Sequence, residues 1–263
     1  MKFINWFLVL LVDIKRYLSF NYNHGKFKGI YSSFDEATKE VRILKTYNED
    51  EVVDSCLDIF SDNDKKIMEY EYPIFFWLRQ IFSEIKNDKE IRVFDFGGRF
   101  GGHFFKFLPF ARDYNFFWLV CEVEKMAIMG QRKFENEQLK FTFSFEDING
   151  SDIFLSSGAI QYVDSLSLSN TLMTFPNKPK YILLARLPMQ TQVKKYVTLQ
   201  NQKIAFIPQY VFNKKDFIQE MNDINYELVS EWNDFSDSCV IPFHREKSVS
   251  SYTGLYFRLR DDV

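Results

Sequence analysis

The chain has 263 residues, with 33 Lys+Arg against 36 Asp+Glu for a formal charge of -3, and 46% of its residues are hydrophobic. That is too apolar for a disordered chain and too evenly charged for broad nucleic-acid binding, and the length fits one large domain or a domain with a small appendage. Three Cys without paired spacing and three scattered His support neither a disulfide framework nor a metal site, which leaves 30 Phe as the odd feature. A Phe-heavy core accounts for that excess first; a sugar-binding or membrane surface is the rival reading.

In chain order, residues 3–18 predict an amphipathic helix. Asp13, Lys15 and Arg16 interrupt the apolar run well short of the roughly 20 residues a spanning helix needs, and no cleavage site follows. Trp6 and Phe7 suit an interfacial anchor, with Lys15 and Arg16 near head groups; packing on the chain's own body or on a partner is the alternative. Residues 21–33 read as a glycine- and asparagine-rich loop. Ser33 followed by Glu36 predicts a capping box and a helix over 34–44. Helices follow over 49–59 and 73–86, the second with Pro73 in its first turn.

From residue 91 the pattern changes. Strands are predicted at 91–96, 116–121, 140–144, 152–157 and 180–186, with helices at 102–112 and 124–131 and another containing Leu166 and Leu172. Phe94, Phe96, Phe116, Phe117, Phe143 and Phe154 fall in these strands and are therefore read as core. A long polar and aromatic connection covers 187–213, then a helix over 214–222 and a closing pair of strands at 226–232 and 254–260. The alternation predicts an α/β fold, a mostly parallel sheet with an antiparallel edge. It divides the chain into a helical region, 1–89, and a sheet domain, 90–263.

The chemistry concentrates at Val93-Phe-Asp-Phe-Gly-Gly-Arg-Phe-Gly-Gly102, where a strand ends in glycines. Such glycines let backbone approach a ligand and turn into the next helix. No Gly-Lys-Ser/Thr follows, so this is not a nucleotide P-loop. Asp95 would repel a pyrophosphate and suits a ligand carrying an ammonium. Glu122, ending the next strand, is spaced to accept from both hydroxyls of a ribose. A tight turn at a sheet edge is the bland alternative.

Asp95-Phe-Gly-Gly-Arg-Phe-Gly101 followed by Glu122 resembles the cofactor site of class I S-adenosylmethionine-dependent methyltransferases, whose fold is Rossmann-like. Gly29-Ile-Tyr-Ser-Ser-Phe-Asp-Glu-Ala37, Tyr72-Pro73, Phe134-Glu-Asn-Glu137, Leu155-Ser-Ser-Gly-Ala-Ile-Gln-Tyr162, Arg186-Leu-Pro188 and Gly254-Leu-Tyr-Phe257 are similar to a bacterial methyltransferase family of surface-polysaccharide (O-antigen or capsule) gene clusters. The resemblance spans residues 25–258. It implies S-adenosyl-L-methionine as cofactor, with Asp95, Gly97, Gly98 and Gly101 along its methionine part and Glu122 on its ribose. The adenine falls to Phe145, Glu146 or Asp147, of which Asp147 is selected. Ser157, Gln161 and Tyr162 face the sulfonium and the substrate. Arg99, Phe100 and His103 depart from the small residues common there and are expected to narrow the pocket.

A hydroxyl acceptor needs a base, for which His103, Asp164, His24 and Tyr162 are candidates. Arg186, at the end of the fifth strand, suits an anionic acceptor or a structural ion pair. Phe206, Tyr210 and Phe212 suit stacking on a sugar. The expected activity is methylation of a hydroxyl on a surface glycan or its nucleotide- or lipid-linked precursor. It would occur in the cytoplasm, with residues 1–20 contacting the inner membrane or a polysaccharide-assembly partner. An inactive scaffold of the same fold, or a different group transferase, is the alternative.

Overall fold

A computed structural model describes residues 2–22, 26–41, 46–60, 66–85, 89–164, 167–203 and 205–261, with side chains from residue 7 onward. His24, Leu166 and the side chain of Trp6 lie outside the described set.

Seven strands form the main sheet. Ile91–Phe96 (β2), Phe116–Cys121 (β3), Leu139–Thr142 (β4), Ile153–Ser157 (β5) and Tyr181–Leu187 (β6) are mutually parallel. Tyr252–Leu259 (β11) runs antiparallel between β6 and Tyr226–Asp234 (β10). The order is β10-β11-β6-β5-β2-β3-β4. β2, β3, β5 and β6 are near-continuous Phe, Ile, Leu and Val, as strands covered on both faces must be. One face packs on Tyr72–Glu84 (α4) and Gly102–Phe107 (α5), the other on Leu168–Met173 (α7) and Lys214–Asp223 (α8). Successive connections leave β2 in one direction to β3 and β4, and in the other to β5 and β6. In such sheets the crevice outside the strand ends at this reversal is the binding site.

The second sheet corrects the reading of two loops. Lys26–Tyr31 (β1), Met189–Gln190 (β7), Tyr196–Asn201 (β8) and Phe206–Asn213 (β9) pair in the order β1-β8-β9-β7. Residues expected to be irregular thus form strands, one from before the main sheet and three inserted after β6. Phe206 lies on Phe20, Tyr210 on Phe34, and Phe212 is buried on Phe217, so these rings hold elements together rather than awaiting a sugar.

Before the sheet come Lys2–Leu18 (α1), Phe34–Thr38 (α2) and Asp50–Ile59 (α3). The expected capping box forms with a shift. Ser33 Oγ accepts from the Glu36 N–H at 3.1 Å, but Glu36 takes the N–H and hydroxyl of Ser32, not of Ser33. Glu124–Phe134 (α6) lies beside β4. Phe94, Phe116 and Phe154 are core as expected. Phe143 is not: β4 ends one residue before it and its ring is mostly exposed. Phe100 does not narrow the pocket either; it is fully buried against Phe60 and Phe134.

Candidate active site

A cavity of about 720 Å³ opens at the carboxyl ends of the parallel strands, bounded on its far side by Phe27, Gln200 and Gln202 of the second sheet. Its floor is the turn after β2. Gly97, Arg99 and Gly101 all take left-handed backbone, with φ of 75°, 51° and 83°. For Arg99 that conformation costs about 1 kcal/mol or more, because its Cβ crowds the backbone. Gly98 is required by proximity: a Cβ there would lie 2.5 Å from Asp95 Oδ2.

Asp95 is fully buried beneath this turn and is not on the cavity wall. Its Oδ2 accepts from the Trp118 indole N–H at 3.1 Å and lies 3.3 Å from His103 Nδ1. The expected contact with a ligand ammonium is therefore corrected; Asp95 holds His103, and His103 faces the cavity. Burial works against the imidazolium, but Asp95 outweighs it, so the His103 pKa is raised. Gly101 turns the chain into α5 and is likewise off the wall, while Gly97 and Gly98 line it.

Glu122 follows β3 as predicted. Its Oε1 accepts from the Arg99 N–H at 2.9 Å and its Oε2 from the Val123 N–H at 3.1 Å. Burial nevertheless pushes its pKa up. Each oxygen keeps a free lone pair, which matches a vicinal diol. Beyond β4, Phe143 and Phe145 supply aromatic wall. Asp147 does not line the cavity; it accepts from the Thr142 hydroxyl at 2.5 Å.

After β5, Ser157, Gln161 and Tyr162 all reach the wall. Gln161 donates to the Arg186 carbonyl at 3.4 Å, while its buried Oε1 has no hydrogen-bond partner. A buried acceptor left without a donor is a place for a ligand N–H or O–H. Tyr162 donates to Gln200 Oε1 at 2.7 Å, and Gln202 donates to the same oxygen at 2.6 Å. Burial drives the Tyr162 phenol far above its ordinary value, so it serves as a donor and not as a base. Asp164 and Tyr210 hydrogen-bond to one another at 3.0 Å, and neither lines the cavity. Both are thus removed from the reacting centre.

Arg186, next to last in β6, has φ 56°, stacks 4.4 Å from the Tyr70 ring centroid, and pairs with Asp237 and, at 3.6 Å, with Asp234. The structural ion pair that was the rival reading of Arg186 is present, on the cavity wall. Lys106 and Glu71 form a second pair there, this one buried, at 2.7 and 3.0 Å. Sequence reasoning missed Tyr70, Glu71, Lys106, Gln200, Gln202 and Asp237. Gln200 and Gln202 carried a signal, two amides at the spacing that shares one face of a strand, but only for a reader who had seen the strand.

No family model matches the chain, and no curated protein matches it. Solved structures do. LepI in complex with S-adenosylmethionine is 7% identical and aligns over 81% of this chain and 53% of its own, with a TM-score of 0.54. OxaC in complex with S-adenosylhomocysteine and oxaline is 14% identical over 81% and 52%, with a TM-score of 0.52. The chain therefore spans about half the length of either protein. The 1,6-didemethyltoxoflavin-N1-methyltransferase of Burkholderia thailandensis, with 1,6-didemethyltoxoflavin and S-adenosylhomocysteine bound, aligns over 84% and 93% at 14% identity and a TM-score of 0.48. Together with the strand order, the likeness to LepI and OxaC establishes a Rossmann-like fold, with an antiparallel edge and a helix at the amino end.

Proposed function

We propose that this protein is an S-adenosylmethionine-dependent methyltransferase that acts on a hydroxyl of a bacterial surface polysaccharide or its nucleotide- or lipid-linked precursor, on the cytoplasmic side of the inner membrane. The observation that carries the reading is the pairing of the glycine turn after β2 with Glu122 at the end of the neighbouring β3, beside the reversal point between β2 and β5. Glu122 has two lone pairs left for the ribose hydroxyls, Gly97 and Gly98 allow close approach of the methionine part, and Phe143 and Phe145 offer an aromatic wall for the adenine. S-adenosylmethionine, when bound, supplies an electrophilic methyl group on a sulfonium.

Positioning two reactants without intervening water provides much of the rate in such a displacement. His103 gives the site a base. With its Nδ1–H directed at Asp95, its other nitrogen is left as the acceptor for a hydroxyl proton. Asp95 positions the ring and stabilises the imidazolium that results.

The charges favour an uncharged acceptor. Lys106 is matched by Glu71, and Arg186 by Asp237 and Asp234, so neither is left for a phosphate or carboxylate. Gln200, Gln202 and Asp237 are suited to a polyhydroxylated ligand, which supports a sugar. One observation favours the second reading, an inactive scaffold in polysaccharide assembly: the exposed Arg99 side chain lies on the cavity wall, where the resemblance implies a small residue.

Calorimetric titration with S-adenosylmethionine tests the pocket. Binding by the wild type that Glu122→Ala weakens at least about tenfold is expected; no binding by the wild type would sink the methyltransferase reading. Binding without transfer of labelled methyl to any glycan fraction would support the scaffold.

A further inference from the structure

Two side-chain amides on the cavity wall are held at one end and open at the other. Gln161 donates through Nε2 to the Arg186 carbonyl at 3.4 Å, and the reverse orientation would set two oxygens against each other. Its Oε1 is thereby kept in place, buried and without a donor. Gln200 is the converse. Its Oε1 accepts from Tyr162 Oη at 2.7 Å and from Gln202 Nε2 at 2.6 Å, which fixes that amide too. Among the described residues nothing accepts from its Nε2. Tyr162 stands between the two: it follows Gln161 in the chain, and its hydroxyl reaches Gln200. The Tyr47 ring meets the Tyr162 ring edge-on, with centroids 5.7 Å apart, so apolar wall adjoins the pair of amides. All four side chains line the cavity.

Hydrogen counting selects the ligand group that fits. Gln161 Oε1 needs one hydrogen, and its amino group is turned away to Arg186. An ammonium would bring three hydrogens to this one acceptor. A hydroxyl would bring lone pairs that Gln161 cannot serve. An amide N–H brings one hydrogen and nothing else, and the carbonyl of the same amide answers the open Nε2 of Gln200. We propose that the methyl acceptor carries a secondary amide, as an N-acetylated amino sugar does. Its N–H lies on Gln161, its carbonyl on Gln200, and its methyl against Tyr47 and Tyr162. Gln161 and Gln200 then distinguish an acetamido sugar from the hexose with a hydroxyl in the same place. The hexose would still offer Gln161 a hydrogen, but it would leave Gln200 unanswered and the apolar wall bare. That this ligand is the methyl acceptor rests on the methyltransferase reading; its recognition rests on the amides alone.

Saturation-transfer NMR titration of the full-length protein tests this, with N-acetylglucosamine, N-acetylgalactosamine and N-acetylmannosamine, each beside its parent hexose. At least one acetamido sugar should bind, and its parent hexose should bind about tenfold more weakly. Gln161→Met should weaken the acetamido sugar at least about fivefold. The melting temperature of that variant should be unchanged or higher, because the substitution removes a buried oxygen that nothing pairs. Titrations run with and without S-adenosylhomocysteine separate the two readings. Absence of S-adenosylhomocysteine binding would sink the methyltransferase, while the sugar preference is still read on the unliganded protein. No binding of any acetamido sugar, or equal binding of the parent hexose, would overturn the proposal. So would a Gln161→Met variant that melts lower and binds the sugar as the wild type does, since Gln161 would then be structural.

Discussion

The two walls of the cavity are built by different means. On the side of β2 and β3, backbone does the work: left-handed turns, two N–H groups on Glu122, and glycines where a Cβ would collide. On the side of β6 and the second sheet, side chains do it: the buried pair Lys106–Glu71, Arg186 between two aspartates, and amides sharing Tyr162. A wall made of backbone tolerates side-chain change around it and keeps one ligand. A wall made of paired side chains fixes its own shape, and each substitution leaves a partner exposed to the loss.

Breaking the second wall should therefore have the largest effect on stability. Lys106→Ala leaves Glu71 buried without its cation, and removing one partner of such a pair costs about 3–5 kcal/mol. Calorimetry should show the melting temperature falling by roughly 10 °C; an unchanged value would mean that the pair is not held as described. Breaking the first wall should act on binding instead. Glu122→Ala removes hydrogen bonds to a charged group, each worth about 1.5–3 kcal/mol, so S-adenosylmethionine affinity should fall at least about tenfold. The melting temperature of the unliganded protein should change far less than in Lys106→Ala.

The Asp95–His103 contact joins the walls and gives a pH signature. The imidazole pKa is raised in the folded protein by Asp95, against burial. Its contribution to stability is complete below the ordinary imidazole value and is lost as pH rises through the raised one. The proposed methyl transfer has the opposite requirement, because only the neutral ring accepts a proton. The rate should climb with pH over the same window in which stability declines. His103→Gln should flatten both curves; melting and initial-rate profiles between pH 5.5 and about 9 would show it. Curves unchanged in His103→Gln would remove the residue from the mechanism.

The smallest expected effect sharpens the first wall. Arg99→Gly relieves a left-handed side chain and should raise stability by about 1 kcal/mol, a rise of a few degrees in melting temperature.

The contrast also explains what could be read from the sequence. The main sheet was legible because strands such as 116–121 and 181–187 are covered on both faces and spell that out as unbroken apolar runs. The glycine turn and Glu122 were legible because backbone geometry restricts residue type. The second sheet was not. β1 contains Gly29 at φ 73° and a register shift between Lys28 and Tyr31, and β9 carries Pro208 opposite Leu199, both signals that ordinarily argue against a strand. Asp95 was placed on the wrong surface because local sequence does not say which side of a turn a carboxylate faces. Tyr70, Glu71 and Asp237 reach the cavity only through tertiary packing, with no motif to mark them.

Arg99 bears on where the site keeps its tension. Its backbone N–H is one of the two donors that hold Glu122, so ligand hydroxyls arriving at that carboxylate share it with a loop already under tension. The spring is compressed before a ligand arrives and stays compressed after it, so it lowers the stability of the fold and leaves residence time alone. With glycine in that position the loop would rest where it now strains. Stopped-flow measurement should find S-adenosylhomocysteine leaving Arg99→Gly at close to the wild-type rate even as the melting temperature rises.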